Sequence, residues 1–184
     1  MESVDLVVCD ANLPSETLLA IARKTNALEV PLVAVAISPA KVVRFRPVLP
    51  GLDMLFLNQA EARALLETPS ETVSELIGQL RDAGLAGAVM TSGNGAAFGW
   101  LGEEIAEITP PFVESIGDVT GAGDAMAAGV IHGLLSGEAL AETLKMGTAS
   151  AVITVRSPLA TSELLSPETL KTNMALVSDA KILS

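Results

Sequence analysis

Cysteine is nearly absent: the 184 residues contain one, Cys9. A lone thiol excludes an internal disulfide and, by itself, a zinc site built on cysteines. Its position at the end of an apolar run suits a small core residue near a strand end. Aromatic residues are scarce, at 3%, although 49% of the chain is hydrophobic. The core must therefore be built from Val, Leu, Ile and Ala, and a chain of this length buries enough of them to be stable without staples. Basic residues are outnumbered, with 11 Lys and Arg against 22 Asp and Glu and a formal net charge of −11. That balance excludes nonspecific nucleic-acid binding through a basic surface. It leaves small anions open as ligands, since they need only local donors. No run of about 18 apolar residues is free of charge, so no transmembrane helix is expected. The start, Met1-Glu2-Ser3-Val4-Asp5, is acidic and leads into a strand-like run, which does not fit a signal peptide. A reducing, cytoplasmic setting is the expectation.

What is present is an alternation of strands and helices. Val4 to Cys9 reads as a short buried strand ending at Asp10. Pro14-Ser15-Glu16-Thr17 opens a helix that reaches Ala27, with Leu18, Leu19, Ile21 and Ala22 on its apolar face. Pro31 to Ile37 is a second buried strand. Ser38 to Leu49 carries Lys41, Arg44 and Arg46 on a helical turn or two before Pro47. Asp53 to Leu57 is a third strand, ending in Asn58, and Gln59 to Leu66 a short helix. Ser70, after Pro69, starts a longer helix to Ala83. Ala86 to Met90 is a fourth strand. Gly95 to Leu101 and Glu104 to Ile108 form an antiparallel pair around Leu101-Gly102-Glu103. Helices follow near 123–136, 138–154 and 167–178. Strand–helix alternation predicts a mainly parallel sheet covered by helices, as one domain or a large part of a bigger one. Ligands of such sheets sit outside the carboxyl ends of the strands. Asp10, Ser38, Asn58 and Thr91 all fall at such ends. Thr68-Pro69-Ser70 reads as a loop, not a domain boundary.

The most informative stretch is Gly117-Asp118-Val119-Thr120-Gly121-Ala122-Gly123-Asp124, which runs into a segment of small residues ending near Leu135. Gly121 and Gly123 let backbone approach a ligand closely. The helix start that follows offers N–H groups and the positive end of a dipole, which together make an anion site. A carboxylate there repels an anion. Asp124 therefore fits a base that takes a proton from a hydroxyl attacking a bound phosphoryl group. The alternative is structural: glycines of a plain turn, and an Asp that complements the helix dipole. No Lys follows Gly121 or Gly123, which excludes a Walker P-loop. The third glycine of a dinucleotide fingerprint is also missing.

Other motifs keep two readings each. Asn58-Gln59-Ala60-Glu61 is a capping box of the Asn variety, or a place where Glu61 holds Mg²⁺ through water. Thr91-Ser92-Gly93-Asn94-Gly95 is a turn between strands, or one wall of a nucleotide site. Asp10-Ala11-Asn12 lacks the second Asp of a phosphatase nucleophile loop, and Asn12 fits local hydrogen bonding. His132 sits mid-helix with no partner in view and reads as a packing or surface residue. Met126, Val130, Ile131, Leu134 and Leu135 are expected in the core. Ala125, Ala127, Ala128 and Gly129 would let this helix sit close to its neighbours.

Together these residues resemble the ribokinase-like sugar kinases, the PfkB carbohydrate kinase family. Asp118-Val119-Thr120-Gly121-Ala122-Gly123-Asp124-Ala125-Met126-Ala127-Ala128-Gly129 is similar to the family's C-terminal signature, with Val119 where Thr is usual. Asn58-Gln59-Ala60-Glu61 resembles its Asn-x-x-Glu motif and Thr91-Ser92-Gly93 its Thr-x-Gly phosphate turn. Asp10-Ala11-Asn12-Leu13 and Ser38-Pro39-Ala40-Lys41 look most like the pseudouridine kinase branch. The resemblance implies a three-layer α/β/α fold with a mainly parallel sheet, of which residues 1–184 are the C-terminal, nucleotide-binding part. By the same resemblance, the family's N-terminal strands, Gly-Gly substrate motif and β-lid are expected to lie outside these residues.

It also implies site roles. Asp124 would be the catalytic base toward a 5′-hydroxyl, and Gly121, Ala122 and Gly123 the anion hole. Asn58 and Glu61 would order Mg²⁺ through water. Thr91, Gly93, Gly147 and Ala151 would contact the nucleotide, Gly147-Thr148 standing where Asn is frequent in ribokinases. Asp118 and Thr120 would hold a monovalent cation such as K⁺. ATP is the implied phosphoryl donor, and a nucleoside or sugar the implied acceptor. The 184 residues alone are expected to be inactive or weak. The alternative is a non-catalytic nucleotide-binding or interaction module. A homo-oligomer formed through an exposed sheet edge is the expected partner state.

Overall fold

The computed structural model describes residues 4–114, 116–117 and 119–183. The chain divides into two compact units, Met1–Ser92 and Gly93–Ser184.

The first unit contains β1 (Val7–Asp10), α1 (Ser15–Ala27), β2 (Leu32–Val35), α2 (Pro39–Val42), β3 (Met54–Asn58), α3 (Gln59–Leu66), α4 (Val73–Asp82) and β4 (Gly87–Thr91). A tight 3-10 helix, Val43–Gly51, continues α2. The strands pair in chain order and in parallel, with Val8 opposite Val33, Ala34 opposite Leu55, and Phe56 opposite Val89. Leu32-Val33-Ala34, Met54-Leu55-Phe56-Leu57 and Ala88-Val89-Met90 are all buried. Such unbroken apolar runs belong to strands covered on both faces. β1 differs from the expected buried strand: Cys9 is buried, but Val8 is 51% exposed. The reason is its place at the end of the strand order, where among the described residues it pairs only with β2.

Local chemistry sets the helix ends. α1 carries Glu16 in its first turn and Lys24 in its last, each matching the helix dipole. α4 starts three residues later than the sequence suggests, because Thr72 is its cap and accepts the Glu75 N–H at 3.3 Å. Ser70 is engaged elsewhere: its carbonyl accepts from Arg63 Nε at 2.8 Å and its Oγ from Gln79 Nε2 at 2.8 Å. The basic residues before β3 are also occupied. Arg44 Nη1 donates to the carbonyls of Ala11 and Asn12 at 2.8 and 3.0 Å. Arg46 holds the end of α3 through the carbonyls of Leu65 and Ala64, both at 2.8 Å, and pairs with Glu67 at 2.8 Å.

The second unit contains β5 (Ala97–Leu101), β6 (Glu104–Ile108), α5 (Ala122–Leu135), α6 (Leu140–Val155), α7 (Pro167–Met174) and β7 (Lys181–Ile182). β5 and β6 form the expected antiparallel hairpin, with Gly99 opposite Ala106 and Gly102 at φ 57 in the turn. β7 pairs antiparallel with β6, Ala106 opposite Ile182, and at two residues it is too short to show a sequence pattern. α7 ends at Met174, earlier than expected, and gives way to turns in which the N–H groups of Leu176 and Val177 donate to Asn173 and Met174.

α5 and α6 pack closely along glycines. A Cβ on Gly129 would lie 2.5 Å from Ser150 Oγ and 2.7 Å from the Met146 carbonyl oxygen. Met126 and Val130 are buried as expected, but Leu135 is 56% exposed. The stripe that meets α6 runs through Met126, Gly129, Val130 and Gly133, and Leu135 lies off it. Among the described residues, no helix is long and apolar enough to cross a membrane.

Candidate functional site

In the first unit, parallel pairing brings the strand carboxyl ends to one edge. Asp10 lies opposite Val35, and Asn58 directly opposite Thr91. Asn58 caps α3 in a full capping box. Its N–H donates to Glu61 Oε2 at 2.7 Å, and its Oδ1 accepts the Glu61 N–H at 2.9 Å. Both readings of the Asn-x-x-Glu motif start from this geometry. The box uses one carboxylate oxygen and leaves Glu61 a second. Glu61 is only 5% exposed. Burial raises its carboxyl above the ordinary range, partly offset by the Asn58 N–H.

A buried carboxylate in the first turn of α3, just past the end of β3, fits a water-bridged Mg²⁺, which takes one or two protein oxygens and keeps its waters. The described residues hold no cluster of three or more His, Cys, Asp or Glu that could cage a metal alone. Waters and ligand phosphates would therefore complete the shell. Thr91 is half-buried at the end of β4.

Asp10 and Asn12 form a local turn. Asp10 Oδ1 accepts the Asn12 N–H at 2.8 Å, and Asn12 Oδ1 accepts from Lys41 Nζ at 2.6 Å. Cys9, beside them, has its thiol pushed up to about 11 by burial and by the neighbouring Asp10 charge.

The glycine turn lies in the second unit. Gly121 caps α5 in the left-handed region, at φ 80 and ψ −6, which a side chain disfavours. The Ala122 N–H donates to the Val119 carbonyl at 3.3 Å, and the first helical bond runs from the Ala125 N–H to the Gly121 carbonyl at 2.8 Å. Gly123 and Asp124 stand in the first turn, where a helix has no internal acceptors for its N–H groups. Both residues are exposed. The turn therefore joins glycine-permitted backbone, helix-start donors and one carboxylate within four residues. An anion can be held there, and a hydroxyl beside it deprotonated.

The remaining predicted residues are placed as follows. Gly93 is exposed at φ 57, with open space where a Cβ would stand. Thr120 is exposed, and Asp118 lies outside the described residues. Ala151 is half-buried on α6, while Gly147 is buried against α5. His132 is exposed, and its carbonyl accepts from Ser136 Oγ at 2.8 Å.

Sequence reasoning missed the segment after α6. The Gly117 N–H donates to the Val155 carbonyl at 2.8 Å. A Cβ on Gly121 would collide with the Ala160 carbonyl. Ser157-Pro158-Leu159-Ala160 carries no motif of its own. The one signal was the pair of glycines it touches.

Comparisons with known proteins bear on the family and the fold. The model of the pfkB family carbohydrate kinases matches residues 1–167. The 1-phosphofructokinase of Escherichia coli strain K12 is 41% identical over 86 residues, covering 45% of this chain and 26% of that enzyme. A carbohydrate kinase from Agrobacterium tumefaciens superposes with a TM-score of 0.87 at 43% identity, over 98% of this chain and 57% of that one. An Arabidopsis thaliana ribokinase, complexed with ribose and ATP, shares the fold at 18% identity, with a TM-score of 0.80 over 93% of this chain and 56% of that one. The α/β architecture is thus that of the ribokinase-like kinases. The chain spans just over half the length of these solved relatives.

Proposed function

The chain belongs to the PfkB family of carbohydrate kinases, and on that premise we propose that it serves ATP-dependent phosphoryl transfer to a primary hydroxyl of a sugar or nucleoside. The observation that carries this reading is Asp124 in the first turn of α5, directly after the left-handed Gly121 cap. Asp124 takes the proton of the acceptor hydroxyl, whose oxygen attacks the terminal phosphorus as ADP leaves. The N–H groups of the Gly121-Ala122-Gly123 turn hold the charge that develops on the transferring oxygens.

Asn58 and Glu61 would hold Mg²⁺ through water, and the ion when bound would neutralise charge on the nucleotide phosphates. Thr91, Gly93, Gly147 and Ala151 would complete the nucleotide contacts, and Asp118 and Thr120 would hold a monovalent cation such as K⁺. The acceptor we favour is the 5′-hydroxyl of a ribosyl compound, pseudouridine first. Its support is the Asp10-Ala11-Asn12-Leu13 turn, which Lys41 closes at Asn12. The likeness to a 1-phosphofructokinase makes a fructose phosphate the competing acceptor.

The test is a coupled ADP-release assay with MgATP and pseudouridine, ribose or fructose phosphate in turn. Asp124→Asn is expected to abolish whatever turnover is seen. Unchanged turnover in that variant removes the base role.

A second reading is a nucleotide-binding module without catalysis. The exposure of Asp124 and Gly123 favours it, since phosphoryl transfer needs water kept from the reacting groups. Calorimetry with MgATP separates the two: binding without turnover supports the module.

A further inference from the structure

Two cations of the first unit converge on one residue. Lys41 Nζ donates to Asn12 Oδ1 at 2.6 Å, and Arg44 Nη1 donates to the Asn12 and Ala11 carbonyls at 3.0 and 2.8 Å. They stand one helical turn apart, on α2 and on the 3-10 helix that continues it. Among the described residues neither is paired with a carboxylate, although the chain has 22 acidic side chains for 11 basic ones. Arg46, on the same 3-10 helix, does have such a partner in Glu67. The carboxylate of this loop is Asp10, and Asn12 occupies both of its oxygens. Oδ1 accepts the Asn12 N–H at 2.8 Å, and Oδ2 accepts from Asn12 Nδ2 at 3.1 Å. The Asn12 side-chain amide thus lies between a negative and a positive charge, its N–H end on Asp10 and its oxygen on Lys41. Asp10 ends β1 and lies opposite Val35 of β2. The corner is therefore at the carboxyl ends of the strands, where ligands of parallel sheets sit.

We propose that Lys41 and Arg44 form a binding corner for a phosphate group, and that Asn12 is its insulator, keeping the Lys41 ammonium off the Asp10 carboxylate. Both cations are half-buried. Two like charges held together and partly out of water raise each other's energy. A dianion between them reverses that cost. Donors are to spare: the Lys41 ammonium bonds only Asn12, and Arg44 Nε and Nη2 bond no other protein group among the described residues. A planar fork beside a point charge suits the several oxygens of a phosphate. Without the Asn12 amide, Lys41 would close on Asp10 and be lost as an anion ligand. The source of the phosphate rests on the kinase reading above, being either the nucleotide or a phosphorylated acceptor. The binding itself does not rest on it.

The experiment titrates inorganic phosphate, at constant ionic strength, into wild type, Lys41→Met, Lys41→Arg, Asn12→Ala and Asp10→Asn/Asn12→Ala. NMR follows the backbone amides of residues 11–13 and 41–44, and thermal midpoints check folding. Lys41→Met and Asn12→Ala are expected to bind phosphate about tenfold more weakly, the first by deleting the charge and the second by letting Asp10 take it. Lys41→Arg should retain most of the affinity. Asp10→Asn/Asn12→Ala should recover what Asn12→Ala loses, since no carboxylate is left to capture Lys41. Calorimetry with MgATP, and with fructose 1-phosphate against fructose, then names the source. A matching loss for MgATP assigns the corner to the nucleotide. A loss for fructose 1-phosphate alone assigns it to the acceptor and turns the choice away from pseudouridine. A loss for inorganic phosphate with both ligands unaffected keeps the corner and removes its part in phosphoryl transfer. Wild type without phosphate-dependent shifts at these amides overturns the proposal, as does full affinity in Lys41→Met. No recovery in the double variant overturns the insulator role. If wild type binds phosphate but no MgATP, the kinase reading fails and the corner stands.

Discussion

Gly147 lies beneath Val130: a Cβ at position 147 would stand 2.5 Å from Val130 Cγ2 and 2.9 Å from the Met126 carbonyl oxygen. The close approach of α6 to α5 depends on that missing atom. Gly147→Ala must push the helices apart, and overpacking of this kind costs about 1–3 kcal/mol. Gly78, inside α4, has nothing within 4 Å of its Cβ position. Gly78→Ala should therefore stabilise by about 0.4–1 kcal/mol. Urea unfolding of the two variants tests the contrast, and equal shifts in the same direction would contradict it.

Cys9 is buried, and its thiol is pushed up to about 11. The thiolate is the reactive form. Alkylation by iodoacetamide at pH 8 should therefore be far slower in the folded protein than in urea. Mass spectrometry over time measures it. Rapid labelling of the folded chain would show that β1 opens readily.

The Asn58–Glu61 box separates two roles. Asn58→Ala removes the cap and should cost about 1 kcal/mol. Glu61→Gln keeps an oxygen to accept the Asn58 N–H but removes a charge that burial disfavours. The folded-state pKa of Glu61 is raised. An acid so shifted favours the folded state most at low pH, below its unfolded pKa, and loses that contribution as pH rises through the folded value. Glu61→Gln should therefore gain stability relative to wild type as pH rises from 4 to 8. The same variant should weaken Mg²⁺-dependent nucleotide binding. Thermal midpoints across pH, with and without MgATP, give both readouts; a stability gap that does not change with pH counts against the buried charge.

Among the described residues β1 pairs only with β2, and Val8 on it is half exposed. Open edges recruit other strands. Sedimentation should show concentration-dependent self-association that Val8→Lys reduces. A clean monomer at all concentrations would leave the edge without this partner.

The local geometry of the candidate site was legible because each part closes within a few residues. A helix start, two glycines and an Asp at 121–124 need no distant contact to be recognised. The capping box at 58–61 likewise closes within four residues. The reading was weaker where a residue's role depends on a remote neighbour. Ser70 has the chemistry of a cap, but Arg63 and Gln79 bind it and Thr72 caps instead. Leu135 fits an apolar stripe by type, yet the helix face that meets α6 excludes it.

By itself the sequence determined the order of strands and helices up to α7, the parallel pairing of the first strands, and the glycine turn with its carboxylate. All of these follow from apolar periodicity and backbone preferences acting over a few residues. Only the tertiary structure decided why those glycines are needed. Gly147 and Gly129 admit a neighbouring helix, and Gly121 admits the Ala160 carbonyl. Ser157 and Ser162, ordinary in the sequence, are buried beside that contact and each closes a local turn. A close approach joins residues tens of positions apart, and no local pattern carries the position of an atom on another element.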